Sequence, residues 1–205
     1  ESGAHRAALE ALAPEARVET LGEVAYEGVT YPISYVRNHA PAGLPRLLVL
    51  SGVHGNEHAG ILSVPPFLER LLAEPTQRVS LAVVTPVNPV GAAKGSRFNG
   101  QGFDINRDFR RYDTTEARLV REVIADFQPD LIVSLHEGPQ DASFIFANRS
   151  VPPGLTQRAL AVLARAGVEL AREDYFGRTL PAPGYAPVTW RQHQLTRLWA
   201  ATLGM

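Results

Sequence analysis

The chain has 205 residues, 45% of them apolar and 20% charged, and a formal net charge of -1. That length suits one domain with a sizeable core, and the near-neutral balance excludes the basic excess of a nucleic-acid binder and any like-charged tail. With no cysteine there is neither a disulfide framework nor a thiolate metal site, and the apolar stretches are far shorter than the roughly 20 residues of a membrane helix.

In chain order, residues 1–13 (ESGAHRAALEALA) predict a short helix ended by Pro14. Arg17 to Tyr26 and Tyr31 to Arg37 alternate apolar and polar residues around Glu27-Gly28, which predicts an antiparallel hairpin at a sheet edge. After a loop at 38–45, Arg46 to Ser51 is a near-continuous apolar run and predicts a strand buried on both faces. His58 to Ala73 has helical spacing, with a kink or break expected at Pro65-Pro66. Ser80 to Val87 predicts another buried strand. Asn88 to Phe109 is a long polar, glycine-rich segment without periodicity; a loop of that length in a compact domain is usually functional or disordered, and we read it as functional.

Thr114 to Phe127 predicts a helix capped by Thr114 or Asp113 and ended by Pro129. The apolar run Asp130 to His136 follows as a strand. Phe144 to Ala147 predicts a short strand, and Leu155 to Ala166 a helix with Gly167 as its cap. Thr179 to Pro187 reads as a proline-rich loop and Gln192 to Leu203 as a last helix. Alternating strands and helices predict a three-layer α/β/α fold with a mixed, mostly parallel sheet, in one domain spanning 1–205.

The stretch Leu47 to Gly60, LLVLSGVHGNEHAG, runs from a strand through a tight turn into a helix. Its turn carries His54 and Glu57, three residues apart, where open α/β sheets place their ligands. His136 closes a second strand. Two imidazoles and one carboxylate with an open fourth position make a catalytic zinc set, one zinc per chain. Two other readings compete. The histidines can simply be hydrogen-bonded in a core while Glu57 caps the helix, and a glycine-rich strand-to-helix turn can cradle a phosphate. The second is disfavoured by Glu57 itself, by the lack of a lysine, and by mismatch to GxGxxG and P-loop patterns.

The long loop adds Arg97 and the pair Asn106-Arg107. A guanidinium is a planar fork that pairs bidentately with carboxylate, so Asn106 and Arg107 suit capture of a substrate carboxylate. A second arginine near a metal suits an oxyanion. The competing reading is a solvated loop in which Arg107 pairs with Asp104 or Asp108.

GVHGNE at 52–57, NPVG at 88–91, the Arg97 segment, DINRDF at 104–109 and LHEG at 135–138 occur in an order that resembles the zinc carboxypeptidase family, including its succinylglutamate desuccinylase/aspartoacylase branch. The resemblance covers roughly residues 45–140. It implies that His54, Glu57 and His136 are the zinc ligands, that Asn106 and Arg107 bind the free carboxylate of the substrate, and that Arg97 polarises the scissile carbonyl. The implied activity is hydrolysis of an amide bond by a metallocarboxypeptidase or deacylase, acting on a small peptide or acylated amino acid. The alternative is a non-catalytic zinc- or peptide-binding module.

One departure stands out. The family's general base is a glutamate on a late strand, whereas Glu137, Glu169 and Glu173 are the only glutamates after His136. Strand alternation turns Glu137 away from the metal. We therefore expect either that the base-bearing strand is missing after Met205 or that the protein is a degenerate member, with Glu173 as the candidate inside the chain. No signal peptide is visible and the first residue is Glu1, so we expect a cytoplasmic protein with an upstream piece removed. Neither nucleic acid nor membrane is an expected partner, and oligomeric state is left open.

Overall fold

A computed structural model describes residues 2–174 and 176–187; the predicted helix from Gln192 to Leu203 lies outside the described residues. The chain forms two compact units, Glu1–Glu137 and Gly138–Met205. Among the described residues no helix is long and apolar enough to cross a membrane.

The first unit opens with α1 (Ser2–Glu10), followed by β1 (Ala16–Tyr26) and β2 (Val29–Asn38), which pair antiparallel. Glu27 and Gly28 both have positive φ, 50° and 76°, the backbone of a two-residue turn whose twist matches the flanking strands. A bulge between Thr20 and Gly22 interrupts the register.

β3 (Arg46–Leu50), β4 (Ser80–Thr85) and β5 (Leu131–Ser134) complete a five-stranded sheet of order β1-β2-β4-β3-β5. β3 pairs parallel with both β4 and β5, while β2 pairs antiparallel with β4 from Ser34↔Thr85 to Arg37↔Ala82. Two of the four ladders are thus antiparallel, and the sheet is evenly mixed instead of mostly parallel. The physical reason is that a continuous apolar run reports burial of both faces, not the direction of the neighbouring strand. The long amino-terminal hairpin joins the main sheet through its second strand.

His58 to Ala73 divides into α2 (His58–Leu62) and α3 (Val64–Leu72), with the break at Ser63. The prolines do not kink a helix but open the second one, at first-turn positions where a missing N–H costs nothing. The core beside them joins Leu9 and Leu12 to Val36, Val49, Val64, Leu68, Leu81 and Val83.

The segment predicted as loop holds two short helices, α4 (Pro89–Lys94) and α5 (Ile105–Asp108). Asn88 caps α4 by accepting a hydrogen bond from Gly91 N–H, and Gly95 ends it in the left-handed conformation. Then comes α6 (Thr115–Phe127), capped by Thr114, whose hydroxyl accepts from Ala117 N–H. Its residue Leu119 fills the space beside Gly22. Phe127 lies under the Arg37 guanidinium, 5.1 Å from ring centroid to carbon.

In the second unit, β6 (Ile145–Ala147) and β7 (Tyr185–Pro187) pair parallel. The proline-rich segment predicted as loop therefore ends in a short strand. α7 (Pro153–Arg165) is followed by Gly167 with φ 82°, the conformation that favours glycine past a helix end.

Candidate metal centre

Past Leu50 the β3 chain keeps bonding to its neighbour: Ser51 N–H donates to the Val84 carbonyl at 3.0 Å and Asn88 N–H to the Gly52 carbonyl at 2.8 Å. Gly52 turns the backbone out of the strand at φ 66°. On the other side, Leu135 N–H donates to the Leu50 carbonyl at 2.9 Å. Backbone bonds thereby hold the His54–Glu57 segment to β4 and the residues after it, and the His136 segment to β3, and the three side chains arrive at one place.

One donor atom from each of the three lies within 4.8 Å of the others. His54 Nδ1 is 2.7 Å from one Glu57 carboxylate oxygen, and His136 Nδ1 is 2.7 Å from the other. The two Nδ1 atoms are 3.2 Å apart. Ligand atoms around a tetrahedral metal bound at about 2.0–2.1 Å stand about 3.3 Å apart, so this set, at 2.7–3.2 Å, is slightly tighter than that spacing and has the donor types of a metal site. His54 and Glu57 are buried, while the His136 side chain is 32% exposed and leaves a side open. Glu57 stands at the N-cap position of α2, but its carboxylate makes no cap bond and is spent on the histidines. Burial pushes its pKa up, yet the hydrogen bonds and charge of His136 and His54 outweigh that and bring it down to about 2.

Two further residues hold the histidines from behind. Asp104 Oδ1 is 3.1 Å from His54 Nε2, and Ser134 Oγ is 3.1 Å from His136 Nε2. Partners of this kind fix which ring nitrogen faces the metal. Sequence reasoning considered Asp104 only as a loop acid and did not single out Ser134. The usable signal for Ser134 was its spacing of two from His136, which places both on one side of an extended chain.

Arg97 makes a bidentate pair with Asp104 Oδ2, at 3.1 Å through Nε and 3.0 Å through Nη2. Its Nη1 stands 3.8 Å from Glu57 Oε1. Burial would raise the Asp104 pKa, but Arg97, with His54 and Arg107 behind it, holds it below the usual carboxylate range. The loop reading that paired Arg107 with Asp104 or Asp108 is not what forms. Asp104 is taken by Arg97 and His54, and Asp108 by Asp113 N–H and by the backbone and hydroxyl of Thr114. Arg107 is exposed, and its side chain and that of Asn106 have no hydrogen-bond partner among the described residues. Glu137 Oε2 accepts from Ala59 N–H at 2.8 Å, in the first turn of α2. Glu169 and Glu173 are exposed residues of the second unit.

A curated relative, carboxypeptidase 2 of Trichophyton rubrum, is 29% identical over 124 residues, covering 54% of this chain and 23% of that protein. The chain thus spans about a quarter of the length of the curated relatives it matches. Among solved structures, a Shewanella amazonensis SB2B protein has the same fold with a TM-score of 0.72 at 23% identity, over 97% of this chain and 80% of that one. The succinylglutamate desuccinylase/aspartoacylase of Rhodobacter sphaeroides shares it at a TM-score of 0.51 and 18% identity, over 93% and 65% of the two chains. The model of the succinylglutamate desuccinylase/aspartoacylase catalytic domain matches residues 43–173, a span that holds every residue of the centre described above. The chain belongs to that family.

Proposed function

We propose that this chain carries the catalytic centre of a zinc-dependent hydrolase that cleaves an amide bond beside a free carboxylate, in a peptide C-terminus or an N-acyl amino acid. The observation that carries the reading is the convergence of His54, Glu57 and His136 donor atoms within 4.8 Å, in a chain of this family. Those three residues would hold the ion. Bound zinc supplies a Lewis acid for the scissile carbonyl and lowers the pKa of water towards about 7.

The rest falls to the chain's own groups. Asp104 keeps His54 Nε2 engaged so that Nδ1 faces the metal. Arg97, clamped by Asp104 beside Glu57, places a fixed cation where negative charge develops on the carbonyl oxygen. Arg107 and Asn106, whose side chains have no hydrogen-bond partner among the described residues, receive the substrate carboxylate. Glu137 is not the base in this reading, because its carboxylate is engaged at α2. We also take the fold as three layers. Val36 faces the core of α1 and α3, while its neighbour Arg37, on the opposite face, meets Phe127 of α6.

The test is direct. The full-length protein loaded with one equivalent of zinc should hydrolyse N-acyl amino acids or short peptides, and their carboxamide counterparts far more slowly. Stoichiometric zinc and tight binding of these acids without turnover would identify a binding module and overturn the hydrolase reading.

A further inference from the structure

Glu116 is a fully buried carboxylate with no salt-bridge partner among the described residues, 1% exposed on the first turn of α6. Both of its oxygens face the side-chain amide of Asn99, with Asn99 Nδ2 at 3.2 and 3.3 Å. Burying a carboxylate against a neutral amide is unfavourable, and burial does push its pKa up. Such a residue is accounted for by what it holds.

Asn99 is itself buried, and every polar atom of it is used. Its Oδ1 accepts from Gln101 N–H at 3.0 Å and Phe103 N–H at 2.9 Å. Its backbone N–H donates to the Phe103 carbonyl at 3.0 Å, and its carbonyl accepts from Gly102 N–H at 2.9 Å. Residues 99–103 are therefore a closed turn built around one side chain. The two legs of that turn end in Arg97 and Asp104, which clasp each other, and Asp104 reaches His54. The turn also rests on the hairpin: a side chain at Gly100 would meet the Tyr26 ring at 2.6 Å.

We propose that Glu116 is a positioning residue that, through Asn99, sets the Arg97–Asp104 pair against His54. Glu116 anchors Asn99 to α6, Asn99 closes the turn, and the turn fixes the separation and direction of its two legs. Glu116 touches neither the metal ligands nor substrate. Its proposed effect on hydrolysis rests on the metallohydrolase reading above, whereas its effect on the loop does not.

The experiment compares zinc-loaded wild type with Glu116→Ala, Glu116→Gln and Asn99→Ala, by three readouts. Amide hydrogen exchange at Gln101 and Phe103 reports the turn, the ring 15N shifts of His54 report its contact with Asp104, and kcat/KM reports positioning of Arg97. In Glu116→Ala and Asn99→Ala the two amides should exchange at least tenfold faster, the His54 shifts should move, and kcat/KM should fall about 10- to 100-fold with KM changing less than kcat. Glu116→Gln, whose carbonyl oxygen still accepts from Asn99, should keep wild-type values in all three.

Unmoved His54 shifts in Glu116→Ala overturn the proposal, as does a Glu116→Gln variant as impaired as Glu116→Ala. If Glu116→Ala fails to fold, Asn99→Ala and Glu116→Gln decide by the same criteria. A wild type without hydrolysis removes the hydrolase reading alone, since the exchange and shift readouts still decide the role of Glu116.

Discussion

Gly55 and Gly91 meet backbone to backbone. A Cβ on Gly55 would lie 2.0 Å from the Gly91 carbonyl carbon and 2.2 Å from Ala92 N. The turn carrying His54 and Glu57 is seated on the start of α4, which gives the two sequence segments GVHGNE and NPVG one shared structural cause. Gly55→Ala has no flexible side chain to push aside, so it should destabilise the protein by about 3 kcal/mol or more. It should also displace the metal ligands. Denaturant unfolding and zinc content check this, and a Gly55→Ala protein with wild-type values in both would show that the backbone yields.

The Asp104–His54 contact gives a graded prediction for metal binding. Loss of a partner behind a ligating histidine typically weakens metal affinity about 10- to 100-fold, so Asp104→Asn should bind zinc that much more weakly. His136→Ala, which removes a ligand, should bind no stoichiometric zinc. Chelator competition distinguishes the two outcomes, and a full equivalent of tightly held zinc in His136→Ala would remove that residue from the set. Affinity should also fall with acid in the wild type, because every ligand must be deprotonated.

Arg107→Ala should act on substrate and not on metal. Truncating one member of a desolvated charged pair typically costs about 2–5 kcal/mol, and each 1.4 kcal/mol is roughly tenfold. kcat/KM for acid substrates should therefore fall by one to several orders of magnitude, and for their amides far less. Equal losses on both would place Arg107 outside the carboxylate pocket.

Asp108 and Glu116 give stability opposite dependences on pH. Burial raises Glu116 above its ordinary 4.5. The native state then binds more protons than the unfolded state between that value and the raised one, so stability falls as pH rises through the interval. For Asp108 burial also pushes upward, but the Thr114 hydroxyl and the Thr114 and Asp113 amides outweigh it and hold its pKa below 3.8. Its contribution is full above 3.8 and is lost as pH falls. Glu116→Gln should therefore gain on wild type as pH rises from 4 to 7, as followed by denaturant unfolding at each pH. A difference that is flat with pH would show that Glu116 titrates normally.

Asp108→Ala should cost about 2–4 kcal/mol, since it strands the Thr114 amide and hydroxyl that its carboxylate satisfies. Calorimetric unfolding measures the loss. A cost within about 0.5 kcal/mol, the usual range for surface changes, would mean that water replaces the carboxylate.

The meeting of His54, Glu57 and His136 was legible because strand ends and short spacings are local properties of a sequence. Asp104 was not, since it lies in a segment without periodicity and nothing near it in sequence announces His54 as its partner. α4 and α5, of six and four residues, are too short to show a helical period. The direction of β2 against β4 was hidden for a different reason: both parallel and antiparallel neighbours bury the same apolar residues. The break at Ser63 lies two residues before Pro65, because a proline pair opens a helix as readily as it ends one.

The bond from Ala59 N–H to Glu137 bears on how any mutational survey of this protein is interpreted. A glutamate next to a histidine of the proposed metal set invites assignment as the proton acceptor, and Glu137→Ala would slow turnover under either assignment. Removing that carboxylate frees the helix that follows Glu57 from the segment that carries His136. Glu137→Gln separates the cases, because its amide oxygen still accepts from Ala59 but takes up no proton. Retained turnover in that variant marks Glu137 as a tie between two ligand-bearing segments, and a scan confined to alanine would name the wrong base.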